Sequence, residues 1–516
     1  MKAQAGFVCG SAFCDRENRR QQAPRRVMLA LALMLLLVFA LTGCVSMAPS
    51  YQQPPLPVAP AYPAAPASAA SPAMIASGGQ SASATGWRDY FADQRLRRLI
   101  DQALHNNRDL RLATLRVEEA RAVYGIQRAD QFPTIGVGAD AARSRVPGDL
   151  NATGQSLVGS QFQAGLNLNA WELDFWGRLR SLKDAALEEY LASDAARRAA
   201  TLSLIAQVAN GYLRLRELDE RLVLARETIA SHTESLRIFR RRVEVGSTSR
   251  LDLTQVETLL QQAQALGSQL AQERDLQANG LVLLVGEPVN FGPMPMRFED
   301  AAVVRVVRVG LPSELLIDRP DIVAAEHQLK AAHANIGAAR AAFFPRIALT
   351  GSYGTASTEL DHLFGAGSRA WTFASNLSMP LFDGGRNRSN LDLAEVRRNQ
   401  AVAVYERTIQ SAFRDVADAL AANKWLTEQV QTLQASLAVQ TQRARLAKLR
   451  YDNGAAAFLE VLDAQRNLLD ATQLLAQTRR ALLSSRVDLY TALGGGAQSL
   501  AAAPPTTLPA PSNTVN

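Results

Sequence analysis

Two periodicities alternate along this chain. From Gln161 through Phe162, Gln163, Ala164, Gly165, Leu166, Asn167, Leu168 and Asn169 to Ala170, polar and apolar residues change places at every step, the period of a strand with one greasy and one polar face. A second such strand begins with Ile135, Val137 and Ala139, and another with Ile347, Leu349 and Tyr353. A fourth sets Trp371, Phe373, Leu377 and Met379 against Thr372, Asn376 and Ser378. After each pair of strands the period changes. Residues 178–245 and 386–453 contain no proline, and Leu218, Leu222, Ala225, Ile229, Leu236, Phe239 and Val243 keep a four-three spacing interrupted only by His232. That is a coiled-coil seam. At a rise of about 1.5 Å per residue each helix reaches roughly 100 Å, whereas helices of globular domains average about 11 to 12 residues.

The pattern occurs twice. Arg128-Ala129-Asp130-Gln131-Phe132-Pro133 returns as Arg340-Ala341-Ala342-Phe343-Phe344-Pro345, 212 residues later. Leu173-Asp174-Phe175-Trp176-Gly177-Arg178 answers to Leu381-Phe382-Asp383-Gly384-Gly385-Arg386 at an offset of 208. At that same offset Val245-Gly246 with Leu251-Asp252-Leu253 matches Asn453-Gly454 with Leu459-Glu460-Val461, and Leu284-Val285-Gly286 matches Ala492-Leu493-Gly494. Ordered matches at nearly one offset mark an internal duplication. Each half reads as a helix, two strands, a very long helix, a turn and a returning helix.

A strand with one face on a soluble core shows the same alternation. The length of about ten residues and a Gly/Ser/Asn polar face favour a transmembrane barrel. Four strands cannot close one, since the smallest outer-membrane barrels use about eight. Several chains must share it, and strand counting permits two, three or four.

The N-terminus supports export. Arg25 and Arg26 precede fifteen apolar residues, 27–41, followed by Leu41-Thr42-Gly43-Cys44. This has the form of a signal peptide, and the run is short for a spanning helix of roughly 20 residues. Leu-x-Gly-Cys resembles the bacterial lipobox, which marks Cys44 for lipidation. Cys9 and Cys14 lie upstream, in the stretch to be removed, so no disulfide framework is expected. The formal charge is +7, but residues 1–43 hold six Lys/Arg against two Asp/Glu, leaving a surplus of three on the rest. Nucleic-acid binding gains little from that.

The expected organisation is an export signal over 1–43 and a Pro/Ala-rich lipidated tether without a core over 44–86. The first repeat occupies 87–286, with strands 132–143 and 160–172, long helix 178–245 and returning helix 250–286. A linker at the equatorial region covers 287–312. The second repeat takes 313–494, with strands 345–356 and 369–382, long helix 386–453 and returning helix 457–493. A disordered tail fills 495–516.

Trp87-Arg88-Asp89-Tyr90-Phe91, Leu99-Ile100, Ala103-Leu104, Asn106-Asn107-Arg108-Asp109-Leu110 and Ala120-Arg121 resemble the opening of TolC-like outer-membrane efflux proteins. Asp318-Arg319-Pro320-Asp321-Ile322, Phe343-Phe344-Pro345 and the run from Pro380 to Arg386 are further marks, closest to the lipoprotein branch of the OprM and NodT type. The resemblance implies a homotrimer: a twelve-stranded transmembrane β-barrel in the outer membrane, four strands per chain, continued by a twelve-helix coiled-coil periplasmic tunnel in a mostly α chain. It implies a periplasmic membrane-fusion adaptor and an inner-membrane efflux pump as partners, outer-membrane lipid around the barrel, and no cofactor.

The helix-turn tips should lie at Gly246 and Gly454, where glycine can reverse a helix. By resemblance Tyr451, Leu459, Glu460, Asp463 and Arg466 fall where the family narrows its periplasmic aperture, with Asp252 matching Glu460 in the first repeat. Three subunits would stack Glu460 and Asp463 as carboxylate rings, favouring cations and repelling one another unless paired. Arg466, three residues after Asp463, is placed to pair with it within a chain or across a subunit boundary.

Catalytic readings gain no footing. His327 and His333 are six apart, a spacing that fits neither one helix face nor a usual zinc pattern. Gly136-Val137-Gly138 lacks the third glycine of a dinucleotide fingerprint, and no nucleophile motif is found. Type I protein secretion is the alternative on the same architecture, and a pore-free structural envelope lipoprotein the alternative from another class. The alternating strands argue against the brace, and the lipobox favours small-molecule efflux over secretion.

Overall fold

The computed structural model describes residues 46–60, 62, 81–291 and 312–502; the export signal, Cys44 and most of the inter-repeat linker lie outside these. The chain divides into two compact units.

One unit gathers the described residues 46–51, Val123–Leu187 and Lys330–Arg398 around a four-stranded sheet. Its strands are β1 (Ile135–Val146), β2 (Leu157–Leu173), β3 (Arg346–Ser357) and β4 (Arg369–Ser378), each antiparallel to the next, in the order β1-β2-β3-β4. The register pairs Val137 with Leu166, Leu166 with Tyr353, and Tyr353 with Trp371. These residues share a face because side chains alternate along a strand. Ile135, Val137, Leu166, Tyr353, Trp371, Phe373 and Leu377 on that face are between 49% and 86% exposed. The opposite face carries Asp140, Gln163, Asn167, Ser352, Thr372 and Asn376. So many bare apolar side chains on a sheet with a polar reverse suit hydrocarbon outside and water inside. Among the described residues no helix is long and apolar enough to cross a membrane.

The two repeats meet at β2 and β3, where Gly165 lies opposite Gly354. A Cβ on Gly354 would fall 2.1 Å from the Ala164 carbonyl oxygen, so the close backbone approach requires glycine. Further along β2 a bulge between Leu168 and Trp171, with Ala170 at φ +37°, re-aims the strand end. Beyond it Trp171 and Leu173 rejoin the apolar face, and Glu172 turns to the polar one. There Glu172 accepts from Arg178 Nε at 2.8 Å and Nη2 at 2.7 Å, and it pairs with Arg346. Strand β4 stops at Ser378 instead of 382; Pro380, without an N–H, cannot extend the ladder.

The other unit comprises the described residues within Gln52–Ala122, Glu188–Leu329 and Asn399–Asn516. It opens with α1 (Trp87–Tyr90), α2 (Gln94–Asn106) and the start of α3 (Arg108–Ala129). Asp93 caps α2 by accepting from the Arg95 and Leu96 amides. The long helices are α4 (Arg178–Glu244) and α8 (Arg386–Asp452), returning as α5 (Arg250–Val285) and α9 (Phe458–Ala492). The first residues of each long helix belong to the sheet unit. Between them lie the short α6 (Leu315–Asp318) and α7 (Pro320–Ala341). The seam on α4 packs as its spacing predicts: Leu218, Leu222 and Ala225 cluster with Leu270, and Leu236 and Phe239 with Val256, Leu260 and Leu462. A fully buried carboxylate, Glu217, ties α4 to α9 by accepting from Arg214 and Arg221 on its own helix and from Arg480 at 2.9 Å.

Two expectations are corrected. The described residues before Trp87 are not a tether without packing. Gln53 donates to the Tyr405 hydroxyl at 2.9 Å, Tyr62 stacks on Phe413 at 5.2 Å, and Ala82 and Ser83 are buried. Rings and small residues set among the prolines supply contacts that composition alone hides. Nor is the chain beyond Gly494 wholly without structure, because α10 covers Ala497–Ala502. The Gly496 amide donates to the Ala82 carbonyl and the Gln498 amide to that of Ser83, so this stretch is tied to the residues just before α1.

Candidate functional site: the helix-turn tips

Both tips are built the same way. Gly246 and Gly454 adopt φ +74° and +71°, left-handed values that suit glycine. The following amide reaches back five residues, Ser247 to the Arg242 carbonyl and Ala455 to that of Arg450, each at 2.8 Å. The glycine amides donate to Val243 and Tyr451. These paired bonds form Schellman caps, which satisfy the last carbonyls of α4 and α8.

The starts of the returning helices then diverge. Ser249 caps α5, and the Asp252 carboxylate closes a capping box by accepting from the Ser249 amide. The Ser249 and Thr248 hydroxyls also donate to Asp252, at 2.6 and 3.0 Å, and hold its pKa below the usual carboxylate value. Asp252 is thus engaged by its own turn. Its counterpart cannot be, because Ala457 stands at the N-cap of α9 and offers no side-chain oxygen. Glu460 instead accepts from Arg450 Nη1 at 3.0 Å, while Arg450 Nη2 donates to the Ala455 carbonyl at 3.2 Å.

Asp463 lies between two guanidinium groups. Arg466 donates at 2.7 Å from one helical turn away, within the chain, and Arg443 reaches it from α8. Asn467 adds a third donor at 3.1 Å. The Tyr451 hydroxyl is bound by Arg242 of the first repeat, whose guanidinium also sits 5.6 Å from the Phe239 ring centre. Phe458 packs against Tyr451 and Phe239 at 4.9 and 4.3 Å, joining the two hairpins through an aromatic cluster. Leu459 is 55% exposed and lines a groove with Val439 and Leu446.

The structure thereby pairs Asp463 with Arg466, gives Glu460 to Arg450 and Tyr451 to Arg242, and leaves Asp252 to its cap. It adds three arginines that motif reading missed. Arg450 and Glu460 stand five residues either side of Ala455, and Arg443 and Asp463 ten either side of Asn453. Equal distance from a hairpin turn was the available signal. With Arg466, Arg443 and Arg450 place three cations on the two carboxylates Glu460 and Asp463, while the third added arginine, Arg242, binds the Tyr451 hydroxyl. Both carboxylates are paired within one chain.

A sheet with a bare apolar face and a polar reverse, continued by chain into helices of 67 residues that turn back at capped tips, defines an outer-membrane duct. The comparisons are specific. The profile of the family described as Outer membrane efflux protein matches residues 99–287 and 311–495. The outer membrane protein OprJ of Pseudomonas aeruginosa is 44% identical over 470 residues, which span 89% of this chain and 95% of that one. A toluene efflux pump outer membrane protein of Pseudomonas putida, TtgI, is 43% identical over 475 residues, 90% of this chain and 98% of that one. Among solved structures, the open state of the MtrE outer membrane channel of Neisseria gonorrhoeae aligns with a TM-score of 0.78 at 38% identity, covering 88% of this chain and 98% of that one. The chain belongs to the outer membrane efflux protein family, and it is an outer-membrane channel component of an efflux pump.

Proposed function

We propose that three copies of this chain form a passive exit duct for small organic molecules, closed at its periplasmic end by the ion pairs of the helix-turn tips. Each copy contributes four strands to a twelve-stranded barrel and four long helices to a tunnel. An inner-membrane pump of the RND type supplies the energy, and a periplasmic adaptor docks near Gly246 and Gly454. The chain performs no covalent chemistry and needs no cofactor. Related outer-membrane proteins are named for solvent, toluene and antibiotic efflux, and that range supports a path selective by size and wetting more than by shape. Lipidation at Cys44 anchors each copy.

One observation carries the gate: Asp463 is clamped by Arg443 from one helix of the hairpin and by Arg466 from the other. Separating α8 from α9 breaks the first pair and keeps the second. Exposed pairs of this kind contribute about 0.2–1 kcal/mol each, weak enough for a docked adaptor to overturn and numerous enough to hold the closed state.

The test is single-channel conductance in a planar bilayer for the variant combining Glu460→Ala and Asp463→Ala. Loss of both carboxylates is expected to raise the conductance several-fold and shift ion preference towards anions, because Arg443, Arg450 and Arg466 remain. Unchanged conductance together with unchanged ion preference removes the gate assignment.

A further inference from the structure

The outward face of the sheet carries three charged residues, and all are arginines. By register and alternation that face comprises every second residue from Ile135 on β1, Val158 to Leu168 on β2, Ile347 to Ser357 on β3 and Arg369 to Leu377 on β4. Its charges are Arg143, Arg145 and Arg369; Asp140, Glu172 and Arg346 lie on the polar face. The three arginines are also confined to one end. Arg143 and Arg145 are the fourth- and second-last residues of β1, and Arg369 is the first of β4, all beside the loops that join the strands of each hairpin. The opposite strand ends run into the helices.

None of the three has a carboxylate partner among the described residues. Arg145 reaches only the Ser156 hydroxyl, at 3.5 Å, and the Arg369 guanidinium lies 5.9 Å from the Tyr353 ring centre. The nearby loop carboxylates Asp149, Glu359 and Asp361 pair with none of them. Three exposed guanidinium groups directly past an apolar band therefore lack a counter-charge among the described residues. An arginine facing lipid costs about 2–4 kcal/mol at the bilayer midplane and about 0–1 kcal/mol near the interface, so these positions mark where hydrocarbon gives way to headgroups.

Strands β1 and β4 are the two edges of the sheet. When copies close a barrel, β4 of one pairs with β1 of the next, and Arg369 comes onto the same outward face as the neighbouring copy's Arg143 and Arg145. Guanidinium forks bind phosphate oxygens two at a time, with a geometry that lysine lacks. On the duct reading proposed above the helices are periplasmic, which assigns the loop ends, opposite the strand ends that run into the helices, to the outer leaflet.

We propose that each seam between copies forms a binding site for the phosphate groups of an acidic glycolipid of the outer leaflet, built from Arg369 of one copy and Arg143 and Arg145 of the next. The site rests on the trimeric barrel reading and is incomplete in a single chain. Three such sites ring the barrel and fasten its seams to the surrounding lipid.

The test reconstitutes the full chain in neutral phospholipid vesicles with bis-phosphorylated lipid A as the probe. Lipid A retained per oligomer after detergent exchange is then counted by mass spectrometry. Wild type and Arg388→Gln, whose side chain pairs with Asp392 on α8, are expected to retain it. The variant joining Arg143→Gln, Arg145→Gln and Arg369→Gln is expected to lose roughly tenfold in retention, as for several charge-assisted bonds, with conductance and oligomeric mass unchanged. Should the triple variant not assemble, Arg369→Gln alone is read by the same criterion. Equal retention by variant and wild type overturns the proposal, as does full displacement by millimolar inorganic phosphate, which would make this a free-anion site. A wild type that neither assembles nor conducts fails earlier, at the duct reading itself.

Discussion

At the scale of single residues, equivalent positions of a duplicated chain have taken different work because one neighbour differs. Asp252 and Glu460 are 208 residues apart and occupy the same place after a tip, yet Ser249 draws one into a capping box and Ala457 leaves the other to Arg450. Ser249→Ala should destabilise the start of α5 by about 1 kcal/mol, seen as faster amide exchange over residues 250–254. Since hydrogen bonding depresses the folded pKa of Asp252, its contribution is present above the unfolded value near 4 and is lost as pH falls through the lower folded one.

His232 acts on a different pH window. It interrupts the apolar seam of α4, is 5% exposed, and its Nδ1 has no partner among the described residues. Burial lowers its pKa below the usual histidine value. A histidine held neutral by folding contributes fully above its unfolded pKa of about 6.5 and penalises the fold as pH drops below it. The protein is therefore expected to lose thermal stability between pH 7.5 and pH 5, and His232→Leu to reduce that loss. Melting curves of the two proteins at both pH values decide this, and parallel losses would show that His232 is not the cause.

At the scale of elements, the tips depend on backbone conformation more than on side-chain packing. A Cβ at Gly246 or Gly454 would meet nothing within 4 Å, so Gly454→Ala tests the left-handed conformation alone. Its cost should be about 1–2 kcal/mol, confined to local opening of the turn and read as loss of amide protection over residues 450–460. The elements themselves were legible because strong periods recorded them: alternation for the sheet, a four-three seam for α4, and a 208-residue echo for the second half. Ion pairs at the tip were less so. Arg443 and Asp463 are twenty residues apart, and no local motif links them; only the antiparallel fold of α8 on α9 does. The Pro/Ala-rich segment misled for a related reason. Its anchors Gln53 and Tyr62 are single residues whose partners, Tyr405 and Phe413, lie some 350 residues on.

At the scale of the whole molecule, a chain with an apolar outer sheet face and two free strand edges is incomplete alone. Edge strands of this kind template pairing, and four strands are too few for closure. Oligomerisation and a wet interior are then consequences of one pattern. Because the tip pairs are exposed, salt should weaken them, since the Debye length falls from about 10 Å at 0.1 M to about 3 Å at 1 M. Open probability should accordingly rise with ionic strength beyond the gain in bulk conductivity, and less so in the Glu460→Ala, Asp463→Ala protein. The most direct test is single-channel conductance of the purified wild-type chain in a planar bilayer, with its oligomeric mass measured in the same detergent. A trimer giving small, discrete conductance steps is the predicted result, whereas a monomer without conductance would contradict the duct.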